Sequence, residues 1–445
     1  MKEIEGFSKL TKQGKLDWVA DNYFEDNAQV KSEFESYWHN KPDTQKLFDE
    51  FSENTITNFY MPFGVMPNTL INDKIYTVPM VIEESSVVAA ASNSAKFWRS
   101  RGGFHARVLA MEKVGQVHFI WRGEKRRLLA FFNHLKPILK ADAAHLTGRM
   151  EARGGGILDI QLIDMTAYEA NYFQLKGLFD TCDSMGANFI NSVLESFAAT
   201  LRREASIYDG FEGSEKDIEV IMSILSNYTP NCIVRAWVEC PVEALGSFDD
   251  GTMDAQTFAW RFARGVRVAQ VDTYRATTHN KGIFNGIDSV ILASGNDFRA
   301  TEACGHTYAS RNGRYSSLTS ISLEDLEKGH FKYTLEVPLA LGTVGGLTTL
   351  HPLVKRGMEM LGNPSANELM QIAAAVGLAN NFSAIRSLVT VGIQKGHMKM
   401  HLLNILKTMH ASEAEVEKAK IYFIKNVVSY SSVREFLELA RAGNV

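Results

Sequence analysis

Apolar and polar positions along the chain fall into helical and strand periods that follow one another in a definite order. Residues 1–50 set Trp18, Tyr23, Phe24, Phe34, Tyr37 and Trp38 at helical spacing among charged residues, which predicts amphipathic helices packed on a core or a partner. Two prolines and a glycine between Glu53 and Asn68 predict an irregular but ordered path there. Tyr76 to Ile82 reads as a strand ending at Glu83-Glu84-Ser85-Ser86, and Val87 to Ser92 then opens a helix that stops at Gly102-Gly103. Ser85 or Ser86 is the expected N-cap, so this junction sets a carboxylate at a helix N-terminus, where anions also bind.

The middle of the chain changes texture. Gln116 to Trp121 is strand-like, and a basic amphipathic helix follows from Glu124 to Glu151, with a break expected at Pro137. Gly154-Gly155-Gly156 leads into a strand at Ile157–Ile163, another runs from Tyr172 to Phe179, Asp183 to Asn188 opens a helix, and Ile218 to Leu225 closes the set. The order βαββαβ predicts a ferredoxin-like sheet, read as an inserted small domain over 109–221. Beyond 226 strands and helices alternate, and Ser365-x-x-Glu368, Ser412-x-x-Glu415 and Ser432-x-x-Glu435 read as capping boxes. The fold class is α+β. It combines a large mixed α/β domain (1–108 and 222–390), the ferredoxin-like insertion, and a C-terminal helical flap over 391–445.

Candidate chemistry centres on Thr278-His279-Asn280-Lys281-Gly282-Ile283 and Ser294-Gly295-Asn296-Asp297-Phe298-Arg299. Both read as small polar turns, the second following the end of a buried strand at Val290–Ala293. An ammonium and a carboxylate displayed there could polarise a carbonyl and manage a proton; on these residues alone a surface lysine and a turn aspartate is the commoner arrangement. Lys96, Arg99 and Arg101 form a local basic cluster, which is more often a solvated face than a phosphate site. No GxGxxG follows a strand, so a Rossmann site is unsupported. The glycine-containing turn before the Asn188 helix could still cradle a pyrophosphate through backbone N–H groups. Gly342 to Gly346 is a second glycine-rich turn. His397 and His401 share a helix face without an HExxH glutamate or a third ligand, so no metal is expected.

Composition narrows the classes. The 445 residues are 45% hydrophobic and 22% charged with a net charge of -4, which suits a soluble globular chain without a nucleic-acid footprint. Four cysteines (Cys182, Cys232, Cys240, Cys304) without CxxC spacing suit a reducing cytosol. The first residues lack an apolar signal core and no apolar run approaches the roughly 20 residues of a membrane span, so a cytoplasmic, membrane-free location is expected.

Several of these stretches coincide in order. Glu53–Asn68, Val78–Ser92, Asp183–Asn191, Tyr274–Ile287, Ser294–His306, Gly342–Pro352 and Gly396–His401 make the chain resemble 3-hydroxy-3-methylglutaryl-coenzyme A (HMG-CoA) reductase of the soluble bacterial, class II type, over residues 50–405. The resemblance implies two hydride transfers from NAD(P)H that take HMG-CoA through mevaldehyde to mevalonate and free coenzyme A. It carries the catalytic glutamate to Glu84, the lysine to Lys281, the aspartate to Asp297 and the histidine to His397. Substrate-binding roles fall on Ser86, Arg275 and Asn285, and cofactor-binding roles on Asp183, Met185, Gly186, Ala187 and Asn188. It also implies a homodimer, possibly part of a larger oligomer, with interfacial active sites and the C-terminal flap closing over the substrate. Two positions depart from the family: Ser85 where proline is common after the glutamate, and Thr57 where glycine is common. Where NAD-preferring relatives carry a ribose-binding aspartate the alignment gives Thr147, with Arg149 and Arg153 nearby, which leans toward NADPH over NADH.

The chemistry implied is electrostatic. Hydride addition to a thioester builds negative charge on the carbonyl oxygen, which a Lys281 ammonium would stabilise. The departing coenzyme A thiolate, whose thiol titrates near ~8.5, suits a His397 imidazolium as donor. Aldehyde reduction then needs a proton from Glu84, whose pKa a helix N-terminus lowers and a nearby Asp297 would raise, so the three are expected to titrate together. Arg275 can grip the substrate's free carboxylate in a bidentate bond. Two other readings use the same residues: an NAD-dependent enzyme oxidising mevalonate catabolically, or a non-catalytic coenzyme A- or nucleotide-binding relative. The second is weakened because all four reacting groups are present.

Overall fold

Thr11 starts the first helix by accepting the Gly14 N–H on its hydroxyl, and three helices follow in the unit Met1–Pro62: α1 (Lys12–Tyr23), α2 (Asn27–Ser36) and α3 (Pro42–Asp49). Lys12 ties α1 to α3 through Asp49 at 2.7 Å, and the Trp38 indole N–H reaches the Ile56 carbonyl at 2.9 Å. The computed structural model describes residues 3–249, 251–390, 402–423 and 426–442.

The second unit, Phe63–Val445, begins with a hairpin of β1 (Phe63–Ile71) and β2 (Lys74–Val81). Asn72 and Asp73 sit at φ 47 and 64, the left-handed pair that a two-residue turn between twisted strands requires. The expected irregular path therefore ends at Phe63, and Pro67 is carried in a break of register between Met66 and Thr69. The hairpin leads into α4 (Val87–Arg99) and then β3 (His105–Met111).

An all-antiparallel sheet in the order β5-β6-β4-β7 follows: β4 (Lys113–Ile120), β5 (Gly156–Asp164), β6 (Tyr172–Asp180) and β7 (Glu219–Ser226). With α5 (Lys125–Glu151) and α6 (Ala187–Ile207) it makes the split-βαβ arrangement of ferredoxin-like sheets. Phe131, Leu135, Val193 and Phe197 from the helices bury Val117, Phe119 and Phe173 of the sheet. Two expectations are corrected. Helix α5 runs unbroken through Pro137, and the limits 109 and 221 fall inside β3 and β7, so the sheet spans Lys113 to Ser226.

A second four-stranded sheet has the order β3-β8-β10-β9, with β8 (Cys232–Pro241), β9 (Thr319–Ile321) and β10 (His330–Pro338). Ala236, Val238, Phe331, Tyr333 and Leu335 point into the core, while Arg235, Trp237, Lys332 and Glu336 alternate onto the other face. The same core takes in α7 (Ala255–Val271), α8 (Thr273–Ala293), α9 (Phe298–Ala309), the short α10 (Leu323–Glu327), α12 (Pro352–Met360), which follows the single-turn α11 (Leu347–Leu350), and the central α13 (Ala366–Val389). Helix α13 starts in a Ser365–Glu368 capping box, and Ala373, Ala374, Ala375 and Phe382 within it are wholly buried.

Three further expectations change. Thr278 to Ala293 is neither turn nor strand but the interior of α8; Asn280 is buried there because its side chain bonds the Ser316 carbonyl and the Leu318 N–H. Helix α13 has a mean hydropathy of 1.3, long and apolar enough by composition to cross a membrane, contrary to the sequence expectation; 72% of that window is buried within the fold. The last helix, Tyr430–Arg441, is boxed by Ser429 and Ser432 rather than by Ser432 and Glu435. The mixed α+β class is as expected.

Helices α8 and α13 touch through backbone. A Cβ on Gly286 would lie 2.6 Å from the Val376 carbonyl oxygen. Gly286→Ala should therefore lower stability by about 1–3 kcal/mol, read as a reduced midpoint in denaturant, because backbone cannot step aside as a side chain would.

Candidate active site

The strand-to-helix junction after β2 places Glu84 opposite the middle of α8. Lys281 Nζ stands 2.5 Å from Glu84 Oε2, and Asn285 Nδ2, one helical turn on, is 3.5 Å from the same oxygen. Ser86 begins α4 at φ 79, a strained conformation for a residue with a side chain, and its hydroxyl caps no helix N–H. Strain of this kind collects at functional sites. The Glu84 and Lys281 side chains remain 41% and 57% exposed, so the pair is open on one side.

Asp297 is the N-cap of α9. Its carboxylate takes the backbone N–H groups of Arg299 and Ala300 at 3.0 and 3.1 Å and pairs with the Arg299 guanidinium at 3.1 Å. Burial pulls its pKa upward, but the Ala300 N–H and the Arg299 contacts outweigh that and leave it below the usual carboxylate range. Asp297 is thus joined to Arg299 and to its own helix, and no hydrogen bond from it to Glu84 or Lys281 is present among the described residues. Arg275 lies half-buried in the first turn of α8 and makes no side-chain hydrogen bond among the described residues; burial lowers its pKa. His397 lies outside the described residues.

Asp297 also borders a groove of ≈ 620 Å³ whose opposite wall is Met185, Gly186, Ala187 and Asn188. Gly186 has φ 90 and starts α6 with no side-chain cap, so the first N–H groups of that helix are left for a ligand. The walls are tied together. Asn296 donates to the Gly342 carbonyl at 2.9 Å and accepts the Gly342 N–H at 2.8 Å, and Thr343 N–H reaches the Asp183 carbonyl at 2.8 Å. The sequence around Asn296 suggests only a turn, and nothing in it marks this clamp.

Two residues assigned to the cofactor from sequence are engaged elsewhere. Thr147 is 1% exposed on the core side of α5, with its hydroxyl turned to the Ala144 carbonyl, so it does not face solvent as a ribose contact would. Arg149 and Arg153 are exposed, and the Arg153 carbonyl lies 3.4 Å from the Cys182 sulfur. The Asp183 carboxylate accepts the Ala366 N–H at 2.7 Å, which fastens the turn to the start of α13.

Two further groups of α8 are shifted by their surroundings, the buried His279 and the part-buried Asp288. His279 donates to or accepts from Thr319 Oγ1 at 2.6 Å, and burial, reinforced by Arg275, pushes its pKa down to about 3, so it is neutral. Asp288 is pushed up to about 8, first by burial and then by the neighbouring Glu302 carboxyl.

Comparison with known proteins adds to this geometry. The sequence profile of hydroxymethylglutaryl-coenzyme A reductase matches residues 14–402. The 3-hydroxy-3-methylglutaryl-coenzyme A reductase of Archaeoglobus fulgidus is 33% identical, over 99% of this chain and 95% of that one. The reductase of Streptococcus pneumoniae superposes with a TM-score of 0.71 at 33% identity, covering 98% of this chain and 99% of that one. A second structure, the class II enzyme of that organism bound to NADPH in open conformations, gives a TM-score of 0.70 at 34% identity over 87% of this chain and all of that one (100%).

Two outcomes follow for the protein in solution. Asp183→Ala should cost about 0.5–2 kcal/mol in thermal unfolding, the usual worth of a carboxylate at a helix start. A folded-state pKa raised above the unfolded value means the native state binds more protons. Stability should therefore fall as pH rises from the unfolded carboxylate range through about 8. Asp288→Asn should flatten that fall; an unchanged pH–stability curve would contradict the raised Asp288 carboxyl.

Proposed function

Because the chain belongs to the hydroxymethylglutaryl-coenzyme A reductase family, we propose that it reduces HMG-CoA to mevalonate and coenzyme A in two hydride steps through mevaldehyde. The observation that carries this reading is the Glu84–Lys281 pair, 2.5 Å apart, with Asn285 beside it. Nicotinamide, when bound, supplies the hydride. The uncapped start of α6 and the open groove beside Asp297 fit a dinucleotide, with Met185 to Asn188 presenting backbone N–H groups to its pyrophosphate.

Each residue then has one task. Lys281 directs its ammonium at the carbonyl oxygen as charge develops there, the electrostatic effect that usually contributes most to catalysis. Glu84, in contact with Lys281, takes up a proton before the aldehyde step and hands it to the alkoxide formed there. Asp297, kept ionised by Arg299 and the α9 N–H groups, supports the local field rather than sharing a proton with Glu84. Arg275 takes the free carboxylate of the substrate, with Ser86 and Asn285 lining the pocket. His397 protonates the departing thiolate.

The openness of the Glu84–Lys281 pair supports a homodimer in which a second copy closes the site. Charges left in water are screened, whereas a covered site strengthens them. For the cofactor, the exposed Arg149 and Arg153 beside the turn favour a 2′-phosphate, hence NADPH over NADH, in place of the buried Thr147.

Purified protein with HMG-CoA, followed by oxidation of NADPH and NADH in parallel, tests the proposal: turnover with the NADPH rate higher is expected, and no turnover with either would end it. Lys281→Ala should lower kcat on the order of 10²–10³-fold. Its stability should stay within about 1 kcal/mol of the parent, since an exposed ion pair contributes little.

A further inference from the structure

Lys113 opens β4 and is 2% exposed, an unusual place for an ammonium. No carboxylate lies within ion-pair distance of it among the described residues. Burial lowers its pKa, and Cys232 of β8 with Asp180, Cys182 and Asp183 draws it only partly back. Its partners are neutral oxygens: the Ser184 carbonyl at 2.7 Å and the Thr181 hydroxyl at 2.5 Å. Thr181 in turn donates to the Ser184 carbonyl at 2.6 Å. Burying a cation without a counter-charge is costly, so the residue must secure something that a hydrophobic side chain would not.

What it secures is the course of the Thr181–Gly186 turn. With the Ser184 carbonyl fixed from below, the Ser184 hydroxyl accepts the Gly186 N–H at 3.1 Å, and Ser184 pairs in a parallel bridge with Val344 across the groove. Gly186 is pressed against Thr181, whose methyl would lie 2.4 Å from any added Cβ. Lys113 also lines a small cavity of ≈ 30 Å³ with Met185 and Ala187 of the turn and Thr301 and Cys304 of α9, the helix that Asp297 caps. One buried ammonium therefore sits where the turn, β4 and α9 meet.

We propose that Lys113 is a positioning residue for the dinucleotide: by fixing the Ser184 carbonyl it sets the turn that aims the first N–H groups of α6 at the pyrophosphate. It touches neither substrate nor cofactor. The proposal rests on the reading of this turn as the NADPH site.

Steady-state kinetics and NADPH binding by fluorescence, on the parent, Lys113→Met and Thr181→Val, test it. Lys113→Met should raise KM and Kd for NADPH on the order of tenfold, the loss of one charge-assisted hydrogen bond. The value of kcat at saturating NADPH and KM for HMG-CoA should stay within about threefold of the parent. Its melting temperature should not fall, because methionine fills the space without a buried charge. Thr181→Val should shift NADPH affinity in the same direction by less, and it decides the matter alone if the methionine variant does not fold. Unchanged NADPH affinity in the folded variants, or a loss confined to kcat, would overturn the positioning role. A parent protein that neither binds NADPH nor turns over would instead remove the reading beneath it.

Discussion

The backbone contact between α8 and α13 is the constraint from which the candidate site hangs. At Gly286 there is no room for a single added carbon, since the Val376 carbonyl would lie 2.6 Å away. Because the two backbones pack this closely, the opposite, polar side of α8 is fixed relative to the core. Lys281 and Asn285, one turn apart on that side, both reach the Glu84 carboxylate. Buried amides complete the seam: Asn381 donates to the His279 carbonyl at 2.8 Å, and Asn280 bonds across to Ser316 and Leu318. Apolar packing supplies most of the driving force here, while these amides set register.

Charge is distributed so that neighbouring groups do different work. Asp297 is held ionised by a helix start and an arginine, Asp288 is held protonated beside Glu302, and His279 is held neutral by burial. Three titratable groups on α8 or at the start of α9 thus have their pKa values moved apart by their surroundings, while the Glu84–Lys281 pair stays exposed. Such separation of protonation states by environment is what acid–base chemistry in one pocket requires.

The site also depends on ties across the fold. Asn296 clamps the Asp297 loop to Gly342, the Gly342–Val344 segment pairs with the Asp183–Ser184 turn, and Asp183 fastens that turn to the start of α13. A ligand lying in the groove would therefore meet walls whose positions are correlated, and this reduces the reorganisation that binding would otherwise need.

By itself the sequence determined the kinds and order of most elements, the α+β class and the family resemblance. Periodicity and capping are local signals, and the Ser365–Glu368 box or the β4–β7 series is read from neighbours in the chain. Only the tertiary structure decided that Thr278 to Ala293 is helix. Asn280 and Gly282 look like turn residues until the Ser316 carbonyl, 36 positions away, accepts from the Asn280 amide, the Leu318 N–H, 38 away, donates to it, and α13 fills the space beside the glycine. It likewise turned Thr147 inward, gave Asp183 to α13, gave Asp297 to Arg299, and buried Lys113 under the Ser184 carbonyl. In each case the deciding partner lies outside the local pattern: far along the chain for most, and for Asp297 in the helix N–H groups that only folding presents. Residue type limits which bonds a side chain can make, but the choice among them belongs to the packed chain.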